Sequence, residues 1–350
     1  MKRYAEILRS PHVAALVFST LLARLPIGIN ALAIVLYLRE QTGSFAIAGA
    51  VSGSLAAGSG FGAPVQGRLV DRLGARRVLV PLAGVHAVAL GAIVALAELS
   101  AGTAILIACG FTAGFAVPPT SSVLRSLWGD LLEPRLHQAA YALDSTMIEL
   151  IFITGPLLTA GIAALASPAA ALIISAVAVV TGTSIFTALP PTRAVQAEHH
   201  ERSGLLGALA SPGVRTLVYT SLPAGVGIGI LEVGIPAFSH AEGAAATAGV
   251  LLAIWSLGSG LGGLLYGTLP RRAGVHRAHL LVAGLLPLTL LPLAAASSVA
   301  VMALLVVPAG CCIAPLLATR TELVGGVAPR GMRTEADPWP ITAFVGGIAI

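Results

Sequence analysis

The chain has 350 residues, 56% hydrophobic and only 10% charged, with a formal net charge of +5 and a mean hydropathy of +0.92. That composition excludes a soluble domain, and the soluble enzyme classes with it, and places the chain among integral membrane proteins. The positive balance does not point to nucleic acid, because the basic residues are spread between apolar runs rather than gathered on one face.

Runs of about 20 apolar residues are long enough to cross a hydrocarbon core of roughly 30 Å as helices. Spans are predicted near 11–38, 45–66, 78–99, 102–124, 137–163, 168–189, 215–238, 245–266, 278–296 and 299–319, and an eleventh starts near Trp339. The expected fold class is therefore an all-α integral membrane protein. Lys2, Arg3 and Arg9 before the first apolar run imitate a secretory signal, but that run carries Arg24 and Pro26 and continues to Leu38 without a small-residue cleavage site. An uncleaved first helix is expected.

If successive spans alternate in direction, 18 of the 20 Lys and Arg fall on one side; Arg39 falls on the other and Arg24 lies inside a span. The excess of basic residues on cytoplasmic loops then places the N-terminus and the central linker in the cytoplasm of a multi-pass protein of the cell membrane. The long polar stretch at 190–214 divides the chain into a first half at 1–189 and a second at 215–350. Within it, His199 and His200 beside Glu198 and Glu201 read as a solvated linker rather than a metal site, because no scaffold fixes them. Cys109, Cys311 and Cys312 all fall in spans, so neither a disulfide framework nor a zinc site is expected. No cofactor is implied, and no nucleophile and base stand together as an enzyme would require.

The two halves share a repeat. Without gaps, 48–77 matches 248–277 at 11 of 30 positions, including Gly58, Ser59, Gly60, Gly62, Gly67, Arg72, Gly74 and Arg77. Such an internal duplication is how many transporters are built. Gly58 and Gly62, Gly258 and Gly262, and Gly225 and Gly229 form small-residue faces where helix backbones can approach closely. Prolines within spans (Pro26, Pro118, Pro119, Pro156, Pro223, Pro287, Pro308, Pro315) free backbone carbonyls, which lipid tolerates only beside protein or a cavity.

Gly67, Asp71, Arg72, Gly74, Arg76 and Arg77 fill every position of Gly-x3-Asp-(Arg/Lys)-x-Gly-x-(Arg/Lys)-(Arg/Lys) between spans two and three. The pattern resembles the cytoplasmic loop motif of the major facilitator superfamily. The second copy keeps Gly267, Arg272, Gly274 and Arg277 but has Arg271 in place of the acid. Arg125 with Trp128 and Gly129 resembles the family's Arg-x2-Gln-Gly, and Gly155-Pro156 the core of its antiporter motif, where a helix kink is expected; Ile151, Thr159 and Ala160 depart from the flanking glycines. The resemblance implies two pseudo-symmetric six-helix halves, the second incomplete in this chain at about 10.5 of twelve helices. It also implies a monomer in the lipid bilayer that moves a small-molecule substrate by alternating access, as an efflux protein driven by protons. An uptake symporter of the same fold, or a membrane sensor that no longer transports, are the alternatives. In the family the loop acid faces a helix N-terminus across the halves, which here pairs Asp71 with the region around Ala336 to Trp339; a simple balance of Asp71 against Arg72 and Arg76 is the other reading.

Ionisable residues inside spans are rare and costly, at least about 2.5 kcal/mol near the bilayer centre, so they mark function. Arg24 in span one and Glu149 in span five each lie about 18 Å from the cytoplasmic end. An ion pair between them, or a shared contact with substrate, accounts for both. Asp144 lies nearer the cytoplasm on the same helix and Glu232 in the outer half of span seven. Any of these carboxylates can load and release a proton, or serve a structural ion pair. Arg125 is expected to snorkel to the surface, and His86 to be a satisfied interior histidine.

Overall fold

In lipid, a backbone amide finds no water and must bond within its own segment, so apolar runs become helices. A computed structural model of the chain describes residues 2–194, 207–244, 247–269, 274–329 and 331–348. Helix α1 is Lys2–Arg9, followed by α2 (Val13–Thr42), α3 (Phe45–Leu73), α4 (Ala75–Glu98), α5 (Thr103–Phe115), α6 (Thr120–Leu131), α7 (Pro134–Leu165), α8 (Pro168–Ala188) and the short α9 (Pro190–Ala194). After a 3₁₀ turn at Gly207–Ala210 come α10 (Pro212–Ala241), α11 (Ala248–Thr268), α12 (Val275–Leu290), α13 (Val299–Cys311), α14 (Ile313–Val327), α15 (Arg333–Ala336) and α16 (Pro338–Ile348). The linker cluster at Glu198 to Glu201 and the second-copy residues Arg271 and Arg272 lie outside the described residues.

Among the described residues ten segments are long and apolar enough to cross a membrane. They are the ten expected, but many helices run past the apolar stretch, α3 to Leu73 and α6 to Leu131. Helical hydrogen bonding continues into the charged flanks, which hydropathy cannot register. Two spans are broken. α5 and α6 are separated at Ala116–Pro119 by Pro118 and Pro119, and α13 and α14 at Cys312. By the repeat these are corresponding spans of the two halves, and interrupted helices are tolerated where protein or a cavity flanks them.

The chain forms two compact units: Pro11–Leu127 with Ile151–Ser203, and Met1–Ser10 with Trp128–Leu150 and Gly204–Ile350. The long helix α7 contributes its first part to the second of these and its remainder to the first. In the unit holding Pro11–Leu127, α2 packs on α8, α3 on α5 and α4 on α8, around Ile29, Ile34, Leu90, Ile93 and Leu106. In the other, α10 packs on α16 and α11 on α13, around Ile235, Trp255, Val306 and Phe344.

The small-residue faces read from the sequence are where these helices cross. A Cβ at Gly58 or Gly62 would meet backbone at Phe111 and Phe115, one at Gly258 or Gly262 backbone at Val307 and Cys311, and one at Gly225 or Gly229 backbone at Phe344 and Ile348. The first two crossings are copies of one another, α3 on α5 and α11 on α13. Gly110 and Gly310, also 200 residues apart, press back on Val51 and Trp255 respectively.

Candidate functional site

The loop motif becomes a one-residue hinge. Gly74 closes α3 and opens α4 at φ 85°, ψ 154°, its amide donating to the Val70 carbonyl at 2.8 Å. A side chain is strained at that φ, so the glycine is required there. Gly74 and Gly67 are buried, Asp71 is half-buried, and Arg72, Arg76 and Arg77 are exposed. In the second copy Gly274 sits at φ −60°, ψ 158°, ordinary extended backbone. The two copies thus differ in turn geometry as well as in the acid.

In the same unit Arg24 is 1% exposed on α2, two residues before Pro26, about 17 Å from the helix start at Val13. Arg125 is half-buried on α6. Gly155 on α7 meets Gly28 on α2: a Cβ on Gly155 would lie 2.5 Å from Gly28 Cα. Thr159 spans the crossing, its hydroxyl donating to the Gly155 carbonyl at 2.9 Å and lying 3.4 Å from the Ile29 carbonyl. The Gly155-Pro156 segment is therefore a backbone-on-backbone crossing, and α7 stays helical through Pro156.

A closed polar thread lies between α2, α4, α5 and α8. The Ser175 hydroxyl donates to Asn30 Oδ1 at 2.5 Å, Asn30 Nδ2 lies 3.2 Å from His86 Nε2, and His86 Nδ1 lies 2.7 Å from the Ala113 carbonyl. The carbonyl can only accept, so Nδ1 carries the proton and Nε2 accepts from the Asn30 amide. His86 is fully buried with both ring nitrogens engaged, an interior histidine that the thread satisfies.

In the other unit, α7 and α11 meet along a seam. From α7 come Gln138, Ala142, Thr146 and Glu149, three and four residues apart on one face; from α11 come Ser259, Gly263 and Gly267 at intervals of four. A Cβ at Gly267 would meet Ala142 and Tyr4, and one at Gly263 the Thr146 hydroxyl. Ser259 Oγ donates to Glu149 Oε1 at 2.8 Å. Gln138 Nε2 donates to the Tyr266 carbonyl at 2.5 Å, Tyr4 to the Leu264 carbonyl at 3.0 Å and Arg3 to the Leu269 carbonyl at 3.0 Å. Tyr266 lies in the last turn of α11 and Leu269 just past it, where carbonyls have no amide of their own helix to accept from, and Leu264 lies one turn earlier. α1 is held further by Glu6, which pairs with Arg135 at the start of α7.

Glu149 stands about 22 Å along α7 from Pro134 and Asp144 about 15 Å; Asp144 is 2% exposed. Among the described residues Ser259 is the hydrogen-bond partner of Glu149, and no cation lies within ion-pair distance of it. The side chain of Glu232, on α10, lies outside the described residues. Among those described, no group of three His, Cys, Asp or Glu is placed to hold a metal ion. Sequence reasoning found Glu149 but missed its partner. The available signal was Ser259, matched to Ser59 in the repeat and starting the Ser259, Gly263, Gly267 series. It also missed α1, whose Tyr4 and Ile7, three apart and both buried, make a one-sided helix.

The Major Facilitator Superfamily profile matches residues 16–336. No curated protein sequence matches the chain. Among solved structures, a bacterial homologue of the iron transporter ferroportin in an outward-facing state superposes with a TM-score of 0.77 at 15% identity, covering 95% of this chain and 89% of that one. The human organic anion transporter MFSD10 (TETRAN) gives 0.67 at 17%, covering 96% and 91%. The proton:xylose symporter XylE gives 0.70 at 14%, covering 95% and 86%.

Proposed function

The chain belongs to the Major Facilitator Superfamily, and from that premise we propose that it exports a small molecule across the cell membrane by alternating access, coupled to proton entry. Its N-terminus faces the cytoplasm, as the basic loops favour. The observation that carries the coupling is Glu149: a carboxyl inside a membrane-crossing helix, held by one serine hydroxyl with no cation against it among the described residues. A full charge in such surroundings lacks the compensation it needs, whereas a carboxyl that gains and loses a proton as the site opens to either side does not need a permanent partner. Asp144, buried, is proposed to accept the proton in turn, Arg24, also buried, to contact substrate, and Asp71 to act in gating at the cytoplasmic loop.

The test is flux in proteoliposomes containing a pH-sensitive dye, with a panel of organic cations, organic anions and sugars, for wild type and Glu149→Gln. Glutamine keeps a carbonyl for Ser259, so folding should persist. Wild type should move protons only with a transported compound and in the opposite direction, and the variant should retain exchange while losing proton-driven flux. Proton movement in the same direction as substrate would replace export by uptake. No coupled flux for any compound, or an unaltered variant, would overturn the proposal.

A further inference from the structure

Where α4 begins and α8 ends, a cleft of about 420 Å³ is lined by Arg76, Arg77, Val80, Pro81, Ser184, Thr187 and Ala188. Its chemistry divides into two parts. At one side stand two guanidinium groups, and neither Arg76 nor Arg77 has a hydrogen-bond or ion-pair partner among the described residues. The Ser184 hydroxyl is likewise unengaged. The first turn of α4 adds to them: Gly74 offers no side-chain cap, so the leading amides of α4 have no acceptor from the helix. All of these are donors, and among the described residues the cleft is lined by no carboxylate.

The other side is apolar and continues away from the charges. On α4 the exposed positions run Arg77, Val80 and Pro81, Gly84, Val88; on α8, which packs against α4, they run Ala188, Ser184, Val180 and Thr181, Val177. Val88 is 73% and Val177 59% exposed, and a Cβ at Gly84 would meet nothing within 4 Å. In a chain whose α4 and α8 both cross the membrane, these open lanes face acyl chains, and the arginines stand at the level of the headgroups. A free inorganic anion would use the donors and leave the lanes without purpose.

We propose that this cleft binds an anionic diacyl phospholipid, its phosphate held by Arg76, Arg77 and Ser184 and one acyl chain lying over Gly84. Basic pockets between membrane helices take such headgroups on charge alone; the lane selects a lipid over a soluble phosphate.

The experiment is native mass spectrometry of the purified full chain titrated with phosphatidylglycerol or with phosphatidylcholine, each with and without excess inorganic phosphate. Wild type should retain one phosphatidylglycerol that phosphatidylcholine does not replace and phosphate does not displace. Arg76→Gln with Arg77→Gln should weaken that retention by roughly 30-fold. Gly84→Phe, which fills the lane from an exposed face and leaves the arginines in place, should weaken it as well and keeps the test open if the double variant folds poorly. Arg277→Gln, the matching position of the second copy, should leave it unchanged. Equal retention in wild type and the cleft variants, an equal loss in Arg277→Gln, or displacement by phosphate would each overturn the assignment.

Discussion

Replacing Gly155 by alanine tests whether the α2–α7 crossing depends on backbone contact. The added Cβ would lie 2.5 Å from both Gly28 Cα and its carbonyl carbon, against 3.4 Å or more for ordinary contact, so the helices must part by about 1 Å. Overpacking of that kind costs roughly 1–3 kcal/mol, partly offset by the roughly 0.5–1 kcal/mol that alanine gains over glycine within a helix. Gly91→Ala is the matched control: it lies in α4, and a Cβ there meets nothing within 4 Å, so the gain alone remains. The gain is common to both, so the two substitutions should differ by about 1–3 kcal/mol, which at about 2–4 °C per kcal/mol separates their melting temperatures by roughly 2–12 °C. Thermal unfolding of the purified protein in one detergent reads this difference. Gly28→Ala combined with Gly155→Ala should cost less than the sum of the two, because one separation of the helices accommodates both. If Gly155→Ala and Gly91→Ala shift the melting temperature in the same direction by similar amounts, the crossing is not held by backbone contact.

Gly74→Ala should destabilise by about 1–3 kcal/mol because φ 85° is unfavourable for any side chain, while Gly274→Ala, at φ −60°, should change the melting temperature little. His86→Leu leaves the Asn30 amide and the Ala113 carbonyl without partners in a buried site, a loss of about 2 kcal/mol or more; His86→Gln should recover part of it, and equal melting of the two variants would argue against the thread. The hydrogen bond from Arg135 holds the exposed Glu6 carboxyl below its usual range. The docking that it supports is complete above the ordinary glutamate pKa and fades as pH falls through the lowered one. Hydrogen exchange in α1 should accordingly rise with acidification, and Glu6→Gln should remove that pH dependence.

Much of this molecule is legible in one sequence because lipid is a demanding solvent. It drives long apolar runs into helices, so hydropathy finds the ten spans seen among the described residues, and it makes buried charge expensive, so Arg24, Asp144 and Glu149 stand out. The loop motif and the 200-residue repeat are local or periodic patterns, and the paired glycines have one physical use, close approach of backbones. α1 escaped because eight residues with two buried side chains carry too little apolar length to register. The linker histidines and Arg271 remain readings of sequence alone, as they fall outside the described residues.

What the sequence determined by itself is thus the class of solvent, the number of long apolar spans and the existence of a duplication, since each depends on composition or spacing along the chain. Only the tertiary structure decided what each polar group meets. Ser59 and Ser259 occupy matching positions, yet one donates to the Gly114 carbonyl at 3.2 Å and the other to the Glu149 carboxyl at 2.8 Å. Likewise Gly74 and Gly274 match in sequence but adopt φ of opposite sign. Partners 55 and 110 residues away are chosen by how helices pack, and no pattern within a single span records that choice.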